Sequence, residues 1–190
     1  ERASGEDIGI YALNQGTLAA GDNYDIDFDG GNLTITKATL LVAADPQTKV
    51  YGEADPTLTY TVTGYKLGDD QSIITGELER ASGESVGTYL IIQGTLAAGA
   101  NYGIDFTAAE LTITAATRTL TFPALADKTY GDPDFAPGAS SSTGEVITYT
   151  SSNLQVAQIV DGNIRIMGAG TTTITATLPE NPNFTQQPMA

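Results

Sequence analysis

Along the 190 residues, apolar side chains recur at every second position in short runs broken by Gly, Asn, Asp and Pro. A period of two with that punctuation predicts strands joined by turns. Residues 57–63 alternate cleanly, which turns Leu58, Tyr60 and Val62 inward. Residues 163–166 and 172–175 do the same, and Asp161-Gly162 between two such runs predicts a hairpin turn. No long window carries a helical apolar stripe, although residues 69–74 have room for one helical turn. The pattern predicts an all-β chain.

The alternation repeats on a larger scale. Residues 1–38 align without a gap on residues 79–116, an offset of 78, with 25 of 38 positions identical. Glu1-Arg2-Ala3-Ser4-Gly5-Glu6 returns as Glu79-Arg80-Ala81-Ser82-Gly83-Glu84, and Leu33-Thr34-Ile35-Thr36 as Leu111-Thr112-Ile113-Thr114. Such self-similarity marks a tandem array. Its register implies three pieces: residues 1–38 as the back half of one module, 39–116 as a complete module and 117–190 as a third. The third opens similarly, with Lys128-Thr129-Tyr130-Gly131 echoing Lys49-Val50-Tyr51-Gly52, and then diverges.

Comparison of the copies assigns faces. Tyr11 and Leu13 match Tyr89 and Ile91, all large and apolar, so these four are expected to face the core. Leu90 and Ile92 match Ala12 and Asn14. A slot that accepts Asn is not deep core, which leaves Leu90 and Ile92 half-exposed against a neighbour. At the junctions the apolar parity changes. Leu33 and Ile35 are odd, Leu40 and Val42 even; Leu111 and Ile113 are odd, Leu120 and Phe122 even. Because side chains alternate sides along a strand, the chain leaves one core and enters the next within about four residues. No Gly/Ser or Pro linker intervenes. The expectation is a stiff string of small β-sandwiches with very short junctions.

Charge and composition narrow the function. Eight basic residues face 23 acidic ones, a net charge of −15, which repels nucleic acid and disfavours anionic membranes. There is no Cys, so no disulfide framework and no thiol nucleophile. There is no His, the usual general base near neutral pH. Carboxylate pairs are available by count, but a sandwich of about 75 residues offers little room for a substrate cleft. No run approaches the roughly 20 apolar residues of a membrane helix. The opening Glu1-Arg2-Ala3, with neither an initiator Met nor a signal peptide, reads as a piece of something longer.

Several residues are candidates for binding. Asp25, Asp27 and Asp29, followed by Gly30, have the spacing that opens a calcium loop. The competing reading is a strand with Ile26 and Phe28 inward and the acids in water. Glu53, Asp55, Asp132 and Asp134 follow the two Tyr-Gly turns, either to share a calcium ion or as ordinary turn chemistry. Tyr51 and Tyr130 are the candidates for a sugar-stacking platform, against a packing role in the turn. Leu90, Ile92 and the threonine face of Thr171, Thr173, Thr175 and Thr177 complete the list of candidate contact surfaces. Lys37, Lys49, Lys66 and Lys128 show no spacing that singles out an isopeptide partner.

The run Lys49-Val50-Tyr51-Gly52-Glu53-Ala54-Asp55-Pro56, with Gly87-Thr88-Tyr89 and the closing Leu111-Thr112-Ile113-Thr114, resembles the MBG domain (YGX type) of bacterial surface proteins. The resemblance covers 39–116 fully and 1–38 as a half copy. Residues 117–190 resemble a bacterial immunoglobulin-like repeat through 147–153, Val156-Ala157 and 168–176. That copy ends at Pro188-Met189-Ala190, before the closing strand of such a repeat is complete. The resemblance implies Ig-like sandwiches in an extracellular, multi-repeat protein of the bacterial cell surface, serving as an adhesin stalk. The alternative is a module that itself grips a glycan, a protein or a neighbouring copy. It carries over no catalytic residue and no cofactor beyond the calcium candidates. The half module 1–38 also leaves an open strand edge, available for strand exchange with another chain.

Overall fold

The computed structural model describes residues 1–186, together with the side chains of 1–185. The tail at Pro188-Met189-Ala190, read above as an unfinished closing strand, lies outside the described residues. The chain is nearly all β, in several small sheets, with a 3₁₀ turn at Gln71–Ile73. It divides into two compact units: Glu1–Thr48, Asp55–Gly83 and Thr88–Thr112 form the first, and Lys49–Ala54, Glu84–Gly87 and Ile113–Ala190 the second. Neither division falls at a repeat junction. Residues 36–40 lie inside the first unit and 114–118 inside the second.

In the first unit, strand Ala38–Ala44 sits between Tyr102–Thr107, which runs parallel to it from Tyr102 opposite Ala38, and Tyr60–Thr63, which runs antiparallel. A second sheet, most of whose residues belong to this unit, takes the order Gln47–Val50, Ala109–Thr114, Gly87–Ile92, Glu79–Arg80. Leu40, Val42, Leu96 and Tyr102 form one buried cluster and Ala44, Ile91 and Leu111 another, and Leu78 and Phe106 pack against both. Leu58, Tyr60 and Val62 point inward as the alternation predicts. Ile91 is fully buried and Tyr89 half-buried, with Leu90 and Ile92 exposed between and beyond them. The helical turn at 69–74 is real. Asp70 caps it by accepting from Ser72 N at 2.8 Å, and hydrogen bonding from the Ser72 side chain and backbone holds the Asp70 carboxyl below its ordinary value. The Tyr102 hydroxyl donates to Asp69 Oδ2 at 2.7 Å and accepts from Lys66 N at 2.9 Å, which pins the preceding loop to the core.

The half copy behaves differently. Gly9–Ala12 and Asn32–Ile35 form a two-stranded antiparallel sheet. Residues 25–29, whose alternation predicts a strand, form none. Their counterpart 103–107 is a strand because Ala38–Ala44 lies beside it, and among the described residues nothing pairs with 25–29. Tyr11 is only half-buried, and Leu13, expected in a core, is exposed. Among the described residues the opposing sheet that covers Ile91 has no equivalent here.

In the second unit, Ala116–Arg118 pairs in parallel with Phe184–Gln186, and Leu120–Thr121 antiparallel with Ser140–Ser141. Thr148–Ser151 pairs with Ile174–Thr177, and Ala157–Val160 with Asn163–Ile166. The last pair closes through Asp161 (φ 50°) and Gly162 (φ 79°), a type I′ turn at the predicted place. Leu120, Ala176 and Leu178 form the core, with Phe122 packed against them. The parity rule holds at this junction: Leu111 belongs to one cluster and Leu120 to another.

Candidate functional site

The sites with the most specific geometry are the two junctions. At the first, Ile35 ends one strand and Ala38 begins the next, a connection of two residues. Asn101, just ahead of Tyr102–Thr107, bridges the joint. Its carbonyl accepts from Ala38 N at 2.9 Å and its Oδ1 accepts from Ile8 N at 2.9 Å. Its Nδ2 donates to Asp7 Oδ1 at 2.7 Å. A backbone N–H only donates, so the atom facing Ile8 is the amide oxygen, and the NH₂ is left to face the acidic Asp7.

At the second junction Thr114 and Ala116 are separated by one residue. The Asn183 carbonyl accepts from Ala116 N at 3.0 Å, and its Oδ1 accepts from Val86 N at 2.8 Å. Phe184 follows, and the Tyr51 ring meets it edge-on at 5.3 Å. Arg118, almost fully buried, lies over the other side of the region with its guanidinium 5.7 Å from the Phe184 centroid. It also donates to Glu145 and to the Pro179 carbonyl. Burial alone would raise the Glu145 carboxyl. The hydrogen bonds from Arg118 and Thr143, with the guanidinium charge, outweigh it and hold the carboxyl below its ordinary value.

The residues singled out in the sequence are not gathered into one site. Tyr51 packs on Phe184 and donates its backbone N–H to Thr114 O at 2.8 Å. Tyr130 is exposed. It lines an open cleft of about 580 Å³ in the third segment with Phe135, Ile164, Ile166, Gly168 and Gly170. The cleft is open to solvent, and the extended stretch 125–130 along it is not paired into a sheet. Leu90 and Ile92 lie on the exposed face of strand Gly87–Ile92. Thr171, Thr173, Thr175 and Thr177 all face water, with Ile174, Ala176 and Leu178 turned inward.

The acids act locally. Glu53 accepts from Val50 N at 2.9 Å and Asp132 from Thr129 N at 3.0 Å, the same bond in the two Tyr-Gly turns. Asp55 takes the Arg80 guanidinium through both oxygens, and Asp134 does the same with Arg165, which holds the Asp134 carboxyl below its ordinary value. Asp25, Asp27 and Asp29 are exposed, and among the described residues no three acidic groups converge as a metal site would need. Lys49, one of the isopeptide candidates, is buried and reaches Glu84 at 2.6 Å.

Sequence reasoning missed the asparagines and the buried Arg118. The signal for the first was present: Asn101-Tyr102 and Asn183-Phe184 share an Asn-aromatic pair ahead of a strand. No such signal marks Arg118, because a buried cation depends on partners 27 and 61 residues away.

Neither a curated protein nor a solved structure matches the chain. The model of the MBG domain (YGX type) matches residues 1–34 and again 40–112, more than half of the 190 residues. Domains of this kind are repeat modules of surface proteins, and among the described residues no helix is long and apolar enough to cross a membrane. Two successive matches in the register of the internal repeat, on an all-β scaffold, place this chain in the MBG domain (YGX type) family.

Proposed function

We propose that the chain is a spacer: a non-catalytic stalk segment of a bacterial cell-surface adhesin that holds a distal binding domain away from the cell. The observation that carries this reading is the pair of junctions. Each is one or two residues long, each lies inside a compact unit, and each is closed by backbone N–H groups that donate to a single asparagine. Joints of that kind resist bending, which a flexible Gly/Ser linker does not. The absence of His and Cys supports a role without a reacting group. Small-angle scattering tests the reading. An elongated particle is the expected result, and a compact globule overturns it.

A second reading is supported by the cleft beside Tyr130. An exposed aromatic ring at the mouth of a groove with a glycine-lined wall suits a sugar or an extended peptide. Here the third segment is a binding module for a host or environmental glycan or protein. A glycan array probed with the chain and with Tyr130→Ala separates the two. A hit lost in the variant favours binding, and no hit leaves the spacer.

A further inference from the structure

The two joints are the same device made from different sequences. Ile8 and Val86 occupy one repeat position, 78 residues apart, as do Ala38 and Ala116. Asn101 and Asn183 do not: they are 82 apart, and the segments that carry them share no gap-free repeat. Yet both use the carbonyl to hold the first residue of the new module's leading strand and Oδ1 to hold the turn of the repeat behind. Both are followed by an aromatic residue that starts a strand parallel to that leading strand, Tyr102 opposite Ala38 and Phe184 opposite Ala116. One residue therefore bonds to both sides of each joint.

We propose that Asn101 and Asn183 are docking latches, the residues by which a module orients itself on the MBG repeat ahead of it. The partner surface is the turn Asp7-Ile8-Gly9 or Ser85-Val86-Gly87. This deepens the spacer reading and rests on it for its biological use, but the latch itself is a separate physical statement. It also assigns a fit to the third segment: although its sequence departs from the repeat, its leading edge is made to follow an MBG module.

The amide oxygen and amide nitrogen separate by substitution. Aspartate keeps the acceptor and loses the donor. At position 183 the residue beside the latched amide is Ser85, so Asn183→Asp retains the joint. At position 101 the corresponding residue is Asp7, whose Oδ1 would then face a second carboxylate, so Asn101→Asp opens it.

The chain has no cysteine, so a pair of introduced cysteines is unique and carries spin labels without background. Labels at Thr17→Cys and Thr57→Cys straddle the first joint, and labels at Ala54→Cys and Thr150→Cys the second. Pulsed electron–electron distance measurements then read the spread of each joint. Asn101→Ala and Asn101→Asp are expected to widen the first distribution about twofold, and Asn183→Ala the second, while Asn183→Asp leaves it narrow. Unchanged widths in the alanine variants overturn the latch, as does an Asn183→Asp distribution as broad as that of Asn183→Ala. A compact particle with narrow distance distributions overturns the spacer and leaves the latch. Broad distributions in the unsubstituted chain overturn the latch whatever the particle's length.

Discussion

Residues 1–36 and 79–114 are identical at 24 of 36 positions and meet different fates. Leu96 is 3% exposed and its counterpart Leu18 is 56% exposed; Tyr102 is 6% exposed and Tyr24 78%. The local features survive in both copies. Arg2 lies over the Tyr11 ring and donates to Ala3 O and Gly5 O, as Arg80 lies over Tyr89 and donates to Ala81 O and Gly83 O. Partners beyond the repeat do not survive. Arg80 pairs with Asp55 and Glu84 with Lys49, both supplied by the module's front half. Among the described residues the half copy has no equivalent of Asp55 or Lys49, and Arg2 pairs with Glu6. The contrast separates what 36 residues determine alone, a turn and a ring stacked under a guanidinium, from what they need 40 further residues to bury.

The contrast can be tested from its largest effect downward. In a chain with residues 39–78 duplicated ahead of Glu1, the first copy should gain a full module's stability, about 5 kcal/mol. Urea unfolding, with amide-exchange protection appearing at Leu18 and Tyr24, checks it; no new protection would show that the copies differ for a reason other than missing partners. Next, Leu111→Ala should cost about 2–5 kcal/mol, because that side chain is fully buried, whereas Leu33→Ala at the equivalent exposed site should cost under about 1 kcal/mol. Equal losses would contradict the comparison. Arg80→Ala should cost about 1–2 kcal/mol through the lost Asp55 and Gly83 bonds, and Arg2→Ala less than about 0.5 kcal/mol. Both are read from chemical denaturation midpoints.

The smallest effect is one of pH. Hydrogen bonds from Ser72 lower the Asp70 carboxyl, so its contribution to the 3₁₀ turn is present above the ordinary aspartate value and is lost as pH falls through the lowered one. The Ser72 amide shift should follow that titration, and Asp70→Asn should remove it. The half copy contains no counterpart of this turn and should show no matching transition.

The sequence displayed the parts of this fold that depend on neighbours in the chain or on copy-to-copy comparison. Asp161-Gly162 specified its turn because both residues accept positive φ. Tyr89 and Ile91 were separable from Leu90 and Ile92 because the other copy puts Asn at one slot. What stayed hidden depended on distant chain. Residues 25–29 alternate like a strand, but alternation supplies only one side of a ladder. Tyr51 resembles an exposed platform until Phe184 is placed against it. Nothing in the sequence marks Lys49 or Arg118 as buried, and only the placement of Glu84 and Glu145 makes their burial affordable. At the candidate site the aromatic and acidic residues were visible; the asparagines that close the joints left only the Asn-aromatic pair, which Asn23-Tyr24 also carries without a strand behind it, so their role waited on their two partners.

The parallel register of Ala38–Ala44 with Tyr102–Thr107 has a mechanical consequence. The strand that enters the module runs alongside one near its exit and in the same direction. Tension that arrives at Ala38 and departs beyond Thr107 slides the two strands past each other along their length. The ladder from Ala38–Tyr102 to Ala43–Thr107 is loaded in shear, so its bonds share the force and yield together instead of unzipping singly.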